Sequence, residues 1–267
     1  MKLAKGLVAK QEVGVNRICR ILSISKGIFY YKAKLANDEE IKEALDLLVA
    51  KHPSRGFGKF FNELKNMGKK WNHKRVYRVY TEMGLNLRKK PKKRLPRREA
   101  RELYQPSSPN ECWSIDFMSD ATTDGRKFRT LNVLDDFNRA CLTISIARSL
   151  PTSSVVAVLD SLALRRGYPK AIRVDNGPEY ISKAFIAWAK EHGVELKYIQ
   201  PGKPAQNGYI ERFNRTYREE VLDMYLFDTI NEVKHITKKW LEDYNSVRPH
   251  NALNNMSPQK FSMAAGF

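Results

Sequence analysis

"ECWSIDFM", residues 111–118, has the alternation of a strand that packs against a core on one face. Apolar side chains occupy every second position, and smaller or polar ones lie between them. The apolar set is Trp113, Ile115 and Phe117, and the other set is Cys112, Ser114 and Asp116. A carboxylate in the middle of a strand costs stability unless something binds it. Asp116 is therefore the first candidate functional residue.

The sequence that follows alternates between predicted strands and helices. Two more strands, "FRTLNVLDDF" and "ACLTISIARS", are joined by a turn at Asn138-Arg139, which predicts an antiparallel meander. The next four segments predict a helix, a strand, a helix and a strand: "TSSVVAVLDSLALRRG", "AIRVD", "SKAFIAWAKEHG" and "ELKYIQ". A meander followed by strands that helices separate predicts an α/β fold with a mixed five-stranded sheet flanked by helices.

Helical segments precede this strand region. Residues 16–34, "NRICRILSISKGIFYYKAK", predict a helix, a tight turn and a second helix capped by Ser25. That pattern fits a helix-turn-helix that binds DNA, and it equally fits another small helical hairpin. Residues 38–86 predict a second helical unit, with a glycine-rich turn at Gly56 to Gly58 and a last helix capped by Asn72.

The chain carries a large excess of cations. Lys and Arg number 48 against 29 Asp and Glu, a formal net charge of +19, so we expect a polyanion as the partner. The basic stretch "RKKPKKRLPRREAR", residues 88–101, is interrupted by two prolines and predicts an extended linker rather than a packed element. Its expected phosphate contacts are Arg88, Lys89, Lys90, Lys92, Lys93 and Arg94.

Other functional classes lack support in the sequence. No run of about 18 apolar residues is present to span a bilayer, and the N-terminal segment is too polar for a signal peptide. The 3 cysteines are widely spaced, which predicts neither a disulfide framework nor a zinc site. We therefore expect a cytoplasmic protein.

Two further carboxylates occupy positions suited to ligand binding. Asp175 ends the strand "AIRVD" before an Asn-Gly-Pro turn, at the carboxyl edge of the sheet where open α/β sheets bind ligands. Glu211 lies on a helix whose apolar stripe occupies other positions, namely Ile210, Phe213, Tyr217 and Val221. Taken singly, these acids have structural explanations, such as a turn residue or an i,i+4 pair of Glu211 with Arg215. Asp135 and Asp136 end the second strand before a turn, and either is an alternative to Asp175 as a ligand.

Taken together, the segments around the three acids resemble the motifs of a known family. "WSIDF", "RVDNGPEY" and "PGKPAQNGYIERFNRTYREE" are similar to the three motifs of the DDE transposase and retroviral integrase superfamily. The resemblance is closer to bacterial insertion-sequence transposases encoded by two reading frames, as the second-frame product. "HPSRGF", "NHKRVYRVYTEMGLNLR" and "YNSVRPHNAL" extend it over nearly the whole chain. It implies a ribonuclease H-like catalytic core. It also implies that Asp135 and Asp136 are turn and cap residues, because the family's motifs have no metal ligand there.

The resemblance also implies a chemistry and a set of ligands. Asp116 would bridge two Mg²⁺ ions, for which Mn²⁺ is a possible substitute, and Asp175 and Glu211 would each bind one of the ions. The reaction would be DNA cleavage at the element ends followed by strand transfer. Expected DNA contacts near the site are Arg218, Arg215, Asn207 and Lys203. The implied partners are double-stranded DNA, both terminal inverted repeats and target, further copies of the chain assembled on that DNA, and an upstream-frame product.

These interpretations divide the chain into four parts. Residues 1–35 form a helix-turn-helix-like segment, 36–87 a helical DNA-binding module, 88–108 a basic linker, and 109–267 the catalytic core with a C-terminal helical extension. We expect the protein to act at the bacterial nucleoid. The alternative function is a catalytically silent DNA-binding protein descended from a transposase. Three mutually repelling acids favour the enzyme, because a protein without catalysis gains nothing from them.

Overall fold

The computed structural model describes residues 8, 14–30, 38–87, 104–200 and 204–267. Lys203 and the basic stretch from Arg88 to Arg101 lie outside these residues. The described chain divides into two compact units, residues 1–40 and 41–267.

The second unit contains a five-stranded mixed sheet. Its strands are β1 Cys112–Ala121, β2 Lys127–Asp135, β3 Cys141–Ala147, β4 Ala171–Val174 and β5 Glu195–Tyr198. Their order across the sheet is β3-β2-β1-β4-β5. The first three pair antiparallel, and β1 with β4 and β4 with β5 pair parallel. The predicted meander and mixed sheet are confirmed.

Four helices cover the two faces of this sheet. Helices Thr152–Arg166 and Lys183–Glu191 bury their apolar sides against Trp113, Ile115 and the odd-numbered positions of β2. Helices Gly208–Tyr217 and Ile230–Ser246 pack on the opposite face, where the even-numbered positions of β1 and β2 point. The period of two in the strands thus separates two cores, and Asp116 lies on the face covered by the helix that carries Glu211.

Three helices, Glu39–Lys51, Phe57–Asn66 and His73–Glu82, form an apolar cluster of their own. Asn72 caps the third, since its side chain accepts from the backbone N–H of Lys74 at 2.8 Å. The expected glycine-rich turn is shorter than predicted, because Gly56 is the N-cap of the second helix and Gly58 lies inside it. Arg55, just before this helix, is buried and bonds to Asp243 of helix Ile230–Ser246 at 2.6 Å.

The first unit contains helices Val15–Ile21 and Lys26–Tyr30. Ser25 caps the second helix, accepting from the backbone N–H of Ile28 at 3.2 Å, and Ser23 has a left-handed backbone in the turn. The predicted sequence of helix, turn and helix is therefore present. At the other end of the chain, helix Pro258–Ala264 packs on helix Ile230–Ser246.

Candidate active site

Asp116 is held by a network of amides that joins two strands and a helix. In the register of β1 and β2 it lies opposite Asn132. Asn214, on the helix Gly208–Tyr217, donates to Asp116 Oδ2 at 2.8 Å and accepts from Asn132 Nδ2 at 2.7 Å. The other oxygen, Oδ1, accepts from the backbone N–H of Phe117 at 2.8 Å. These bonds fix the carboxylate and fasten the helix to the centre of the sheet.

The sequence interpretation missed Asn214. It lies three residues after Glu211, so the two side chains are neighbours on one side of the helix. Asn214 is buried, whereas Glu211 is exposed. The signal that was available is a polar residue next to the apolar stripe, and such a residue is buried only if it has partners.

Asp175 follows β4 directly and is positioned by the turn after it. Its Oδ1 accepts from the backbone N–H of Gly177 at 2.9 Å. A Cβ atom at Gly177 would lie 2.9 Å from the same oxygen, so the absence of a side chain there allows the carboxylate to take this position. Because β4 pairs parallel with β1, Asp175 lies at the sheet edge beside the strand of Asp116.

The charges of Asp175 and Glu211 act on Asp116. Burial raises the pKa of Asp116 to about 6, and the negative charges of Asp175 and Glu211 add to the increase, while the hydrogen bonds from Phe117 and Asn214 oppose it. Within the described residues none of these three acids forms an ion pair with Lys, Arg or His. The same part of the chain contains no group of three His, Cys, Asp or Glu side chains already arranged to hold a metal ion. That Asp116, Asp175 and Glu211 share ions stays a prediction.

Asp135, which ends β2, and Asp136, which follows it, have structural partners. Asp135 accepts from the backbone N–H groups of Asn110 and Phe137 at 3.0 and 2.9 Å. Asp136 accepts from Ser114 at 2.6 Å and pairs with Arg173 at 2.7 Å. Both are fully buried, and burial raises the pKa of each above its usual range. Their roles are to hold the turn and the strand ends.

A second ion pair flanks the site. Arg129 of β2 bonds to Glu179 at 2.5 Å, and its guanidinium lies 4.0 Å from the centre of the Phe117 ring. Glu179 belongs to the segment "DNGPEY" that also contains Asp175. This pair, which the sequence did not indicate, ties the loop after β4 to the meander.

The predicted DNA contacts have different surroundings. Arg218 lies in a π-helical turn, Arg218–Leu222, and bonds to Asp120 at 3.1 Å and to the carbonyl of Ser119 at 2.9 Å. Arg215 is exposed. Asn207 is buried at the start of the helix, and its Oδ1 has no hydrogen-bond partner. Lys203 and the residues from Arg88 to Arg94 lie outside the described part of the chain. The DNA contacts of all these residues stay predictions.

Comparison with known proteins places the chain in a family. Residues 106–204 and 192–258 match two models that share the description "Integrase core domain". The chain is 40% identical over 255 residues, 95% of its length and 92% of the relative's, to the "Insertion element IS407 uncharacterized 31.7 kDa protein" of Burkholderia multivorans. The chain belongs to the insertion-sequence transposases of the retroviral integrase superfamily.

More distant relatives agree with this assignment. The transposase is 24% identical over 269 residues, 94% of each chain, to the putative transposase InsK for insertion sequence element IS150 of Escherichia coli. It superposes on a cryoEM structure of a simian T-cell lymphotropic virus intasome in complex with PP2A regulatory subunit B56 gamma, with a TM-score of 0.52 and 16% identity, covering 72% of this chain and 67% of that chain. The likeness to that structure confirms the predicted ribonuclease H-like fold. None of the helices described for the transposase is long and apolar enough to cross a membrane.

Proposed function

We propose that the transposase cleaves DNA at the ends of its element and joins those ends to target DNA, with Asp116, Asp175 and Glu211 holding two divalent metal ions. The observation that carries this proposal is the unpaired state of the three acids in a chain of net charge +19. Two buried acids of the same unit have cationic partners instead, since Asp136 pairs with Arg173 and Glu220 pairs with Arg248. Acids without counter-charges are the ligands that a hard cation needs.

The residues present fit such ions by their chemistry. Carboxylate oxygens are the donors that Mg²⁺ and Mn²⁺ prefer. Asp116 is largely buried beside two like charges, an arrangement that is unfavourable without a cation. When bound, a pair of divalent ions activates the attacking oxygen and stabilises the leaving one.

The protein's own residues hold the three acids in position. Asn214 and the backbone of Phe117 fix the Asp116 carboxylate, and Gly177 fixes that of Asp175. Glu211 is exposed on its helix, so its carboxylate is accessible to a hydrated cation from solvent. Since phosphoryl transfer depends on positioning and charge stabilisation rather than on covalent catalysis, these contacts are what the fold contributes to the rate.

The test is Asp175→Asn, which keeps the size and one acceptor oxygen but removes the negative charge. The substrate is the DNA that flanks the reading frame, incubated with Mg²⁺ and, in parallel, with Mn²⁺. We expect cleavage and strand transfer to be lost with either metal, while DNA affinity stays near normal because an acid does not attract phosphate. The assay includes the upstream-frame product, because the resemblance implies it as a partner.

Asp160→Asn is the matched control. Asp160 lies on the helix Thr152–Arg166, where it accepts from Trp188 at 2.8 Å, and asparagine retains an acceptor oxygen. We expect the control variant to cleave as the wild type does. Near-normal cleavage by Asp175→Asn would refute the metal-binding role. A wild type that binds DNA but cleaves none with either metal would favour the alternative, a silent DNA-binding protein.

The family also supports proposals about partners. We expect the transposase to bind terminal inverted repeats and target DNA as duplexes, at the nucleoid, and to assemble with further copies of itself on that DNA. Light scattering of the protein with and without DNA tests the assembly. A complex with the mass of one chain plus one duplex would contradict it.

A further inference from the structure

A basic cavity of about 960 Å³ lies beside the helix that carries Glu211. Five cations and one acid, Glu219, contribute to its lining, and the cations are Lys59, Arg139, Arg212, Arg215 and Arg248. They come from the helical module, the β2–β3 turn, the helix Gly208–Tyr217 and the C-terminal extension. The fold therefore gathers positive charge from four separate segments at one place.

In the part of the chain that the structure describes, most of these cations form no ion pair, and the acid whose charge acts on Arg139 is the buried Asp136. Arg248 is neutralised by Glu220, with its Nε and Nη2 atoms 3.0 and 2.9 Å from Oε1. Within the described residues Arg139, Arg212 and Arg215 form no ion pair, and Lys59 donates to neutral oxygens, the carbonyl of Pro249 and Oδ1 of Asn251 at 3.4 Å. An open cavity with several unpaired cations attracts anions strongly.

Arg139 is held in a costly state at this cavity. Its backbone is left-handed, with φ of 59°, a conformation that bulky side chains rarely adopt. The residue is 8% exposed, and its Nη1 atom has no hydrogen-bond partner. Its guanidinium stacks on Tyr209, 3.5 Å from the ring centre. The left-handed residue closes the β2–β3 turn, and the unpartnered Nη1 atom is a donor that a ligand in this cavity can use.

The cations of the cavity lower the pKa of two groups in its lining, Lys59 and His250. Burial lowers the pKa of Lys59 to about 8, and the charges of Arg248, Arg55 and Arg212 lower it further than Glu220 can restore. His250, also in the lining, is buried, and burial together with Arg248 and Lys59 lowers its pKa to about 2. His250 is therefore neutral, and its buried Nε2 has no partner.

We propose that this cavity binds a phosphodiester group of a DNA strand, a contact separate from the one at the three acids. The proposal rests on the proposed function for the choice of DNA as the polyanion. Planar guanidinium groups match phosphate oxygens in pairs, and several cations around one space suit a chain of phosphates better than a single carboxylate. Arg212 and Arg215 share the helix of Glu211, so two cations of the cavity lie within about one helical turn of that acid.

The test measures duplex binding by variants that each remove one cation. Arg212 is exposed, so Arg212→Gln leaves the folded core intact. Arg165→Gln is the matched control, because Arg165 is exposed on a helix of the opposite face of the sheet. The probe is a fluorescein-labelled DNA duplex of arbitrary sequence without divalent metal, since phosphate contacts do not depend on base sequence. Affinity is measured over a series of salt concentrations.

For Arg212→Gln we expect about tenfold weaker binding and a salt slope shallower by about 0.9, the value for one lost phosphate contact. Arg165→Gln should match the wild type. Arg139→Gln, compared at a temperature where circular dichroism shows it folded, should lose affinity in the same way. Wild-type affinity and slope for Arg212→Gln would overturn the proposal, and this single result decides it whether or not Arg139→Gln folds.

Two further arms identify the source of the anion and separate this proposal from the proposed function. Thermal melting is compared in inorganic phosphate and in chloride at equal ionic strength, and competition with poly-glutamate tests an acidic protein segment as the occupant. An Arg212-dependent effect of either competitor without an Arg212-dependent loss of DNA binding would overturn the assignment to DNA. A wild type that binds the duplex but cleaves no element end contradicts only the proposed function.

Discussion

Replacing Arg55 by Met should destabilise the transposase by an amount that the contacts of Arg55 define. Its side chain is 0% exposed and bonds to three acids, Glu63 at 3.2 Å, Glu220 at 3.4 Å and Asp243 at 2.6 Å. Methionine keeps much of the apolar volume but removes the charge. Because Glu63 lies on the helical module and the other two acids lie on the C-terminal part of the chain, Arg55 joins these segments.

The size of the destabilisation depends on which cations remain beside the three acids. Glu220 keeps Arg248 at 2.9 Å, and Asp243 keeps Lys51 at 2.7 Å, whereas Glu63 loses the cation with which it pairs. Removing one partner of a buried ion pair costs about 3–5 kcal/mol. Because two of the three acids retain a cation, we expect the lower end, about 3 kcal/mol, or roughly 6–12 °C in the melting temperature for a unit of this size.

The dependence on pH follows from the acids. Burial would raise the pKa of Glu220 and of Asp243, but the cations around them, Arg55 included, hold both below their usual values. A folded-state pKa below the unfolded one stabilises the protein at higher pH, and that stabilisation is lost as pH falls through the folded value. The difference between Arg55→Met and the wild type should therefore shrink below the ordinary values of 4.5 for Glu220 and 3.8 for Asp243.

The measurement is thermal unfolding by circular dichroism at neutral and acidic pH. Arg78→Met is the control, because Arg78 pairs with Glu82 on an exposed helix face at 2.9 Å, a pair worth only about 0.3–0.5 kcal/mol. If Arg55→Met lowers the melting temperature no more than Arg78→Met does, the buried cluster does not fasten the module to the core. The double variant Arg55→Met with Glu63→Leu should recover part of the loss, since it also removes the unpaired acid.

Two other changes test the site and the linker. Gly177→Ala places a Cβ 2.9 Å from Asp175 Oδ1, so the carboxylate must shift. We expect cleavage to fall by about 10²-fold with little loss of stability. Gly58→Ala is the control, because there is open space around Gly58, and it should leave cleavage unchanged. Cleavage by Gly177→Ala at the wild-type rate would show that the position of Asp175 is not critical. Replacing the Lys and Arg residues of the stretch 88–101 by Ser should weaken binding to all duplexes alike and flatten the salt slope, and a loss confined to one sequence would contradict its assignment as a phosphate contact.

The sequence by itself determined the order of the elements and the candidate acids. Alternation in "ECWSIDFM" defines β1 because a strand turns successive side chains to opposite faces, a local property of the backbone. Caps such as Ser25 and Asn72 act within a few residues, so they too were predictable. The three acids were recognisable because each lies within a short sequence motif.

Only the tertiary structure decided what those acids and their neighbours contact. Asn214 bridges Asp116 and Asn132 because the helix lies across two paired strands, a relation set by packing between distant segments. The basic cavity likewise combines Lys59, Arg139 and Arg212, three residues that no short-range pattern connects. The sequence specifies which side chains are charged, but whether a charged side chain is buried, paired or exposed depends on which segments pack against it.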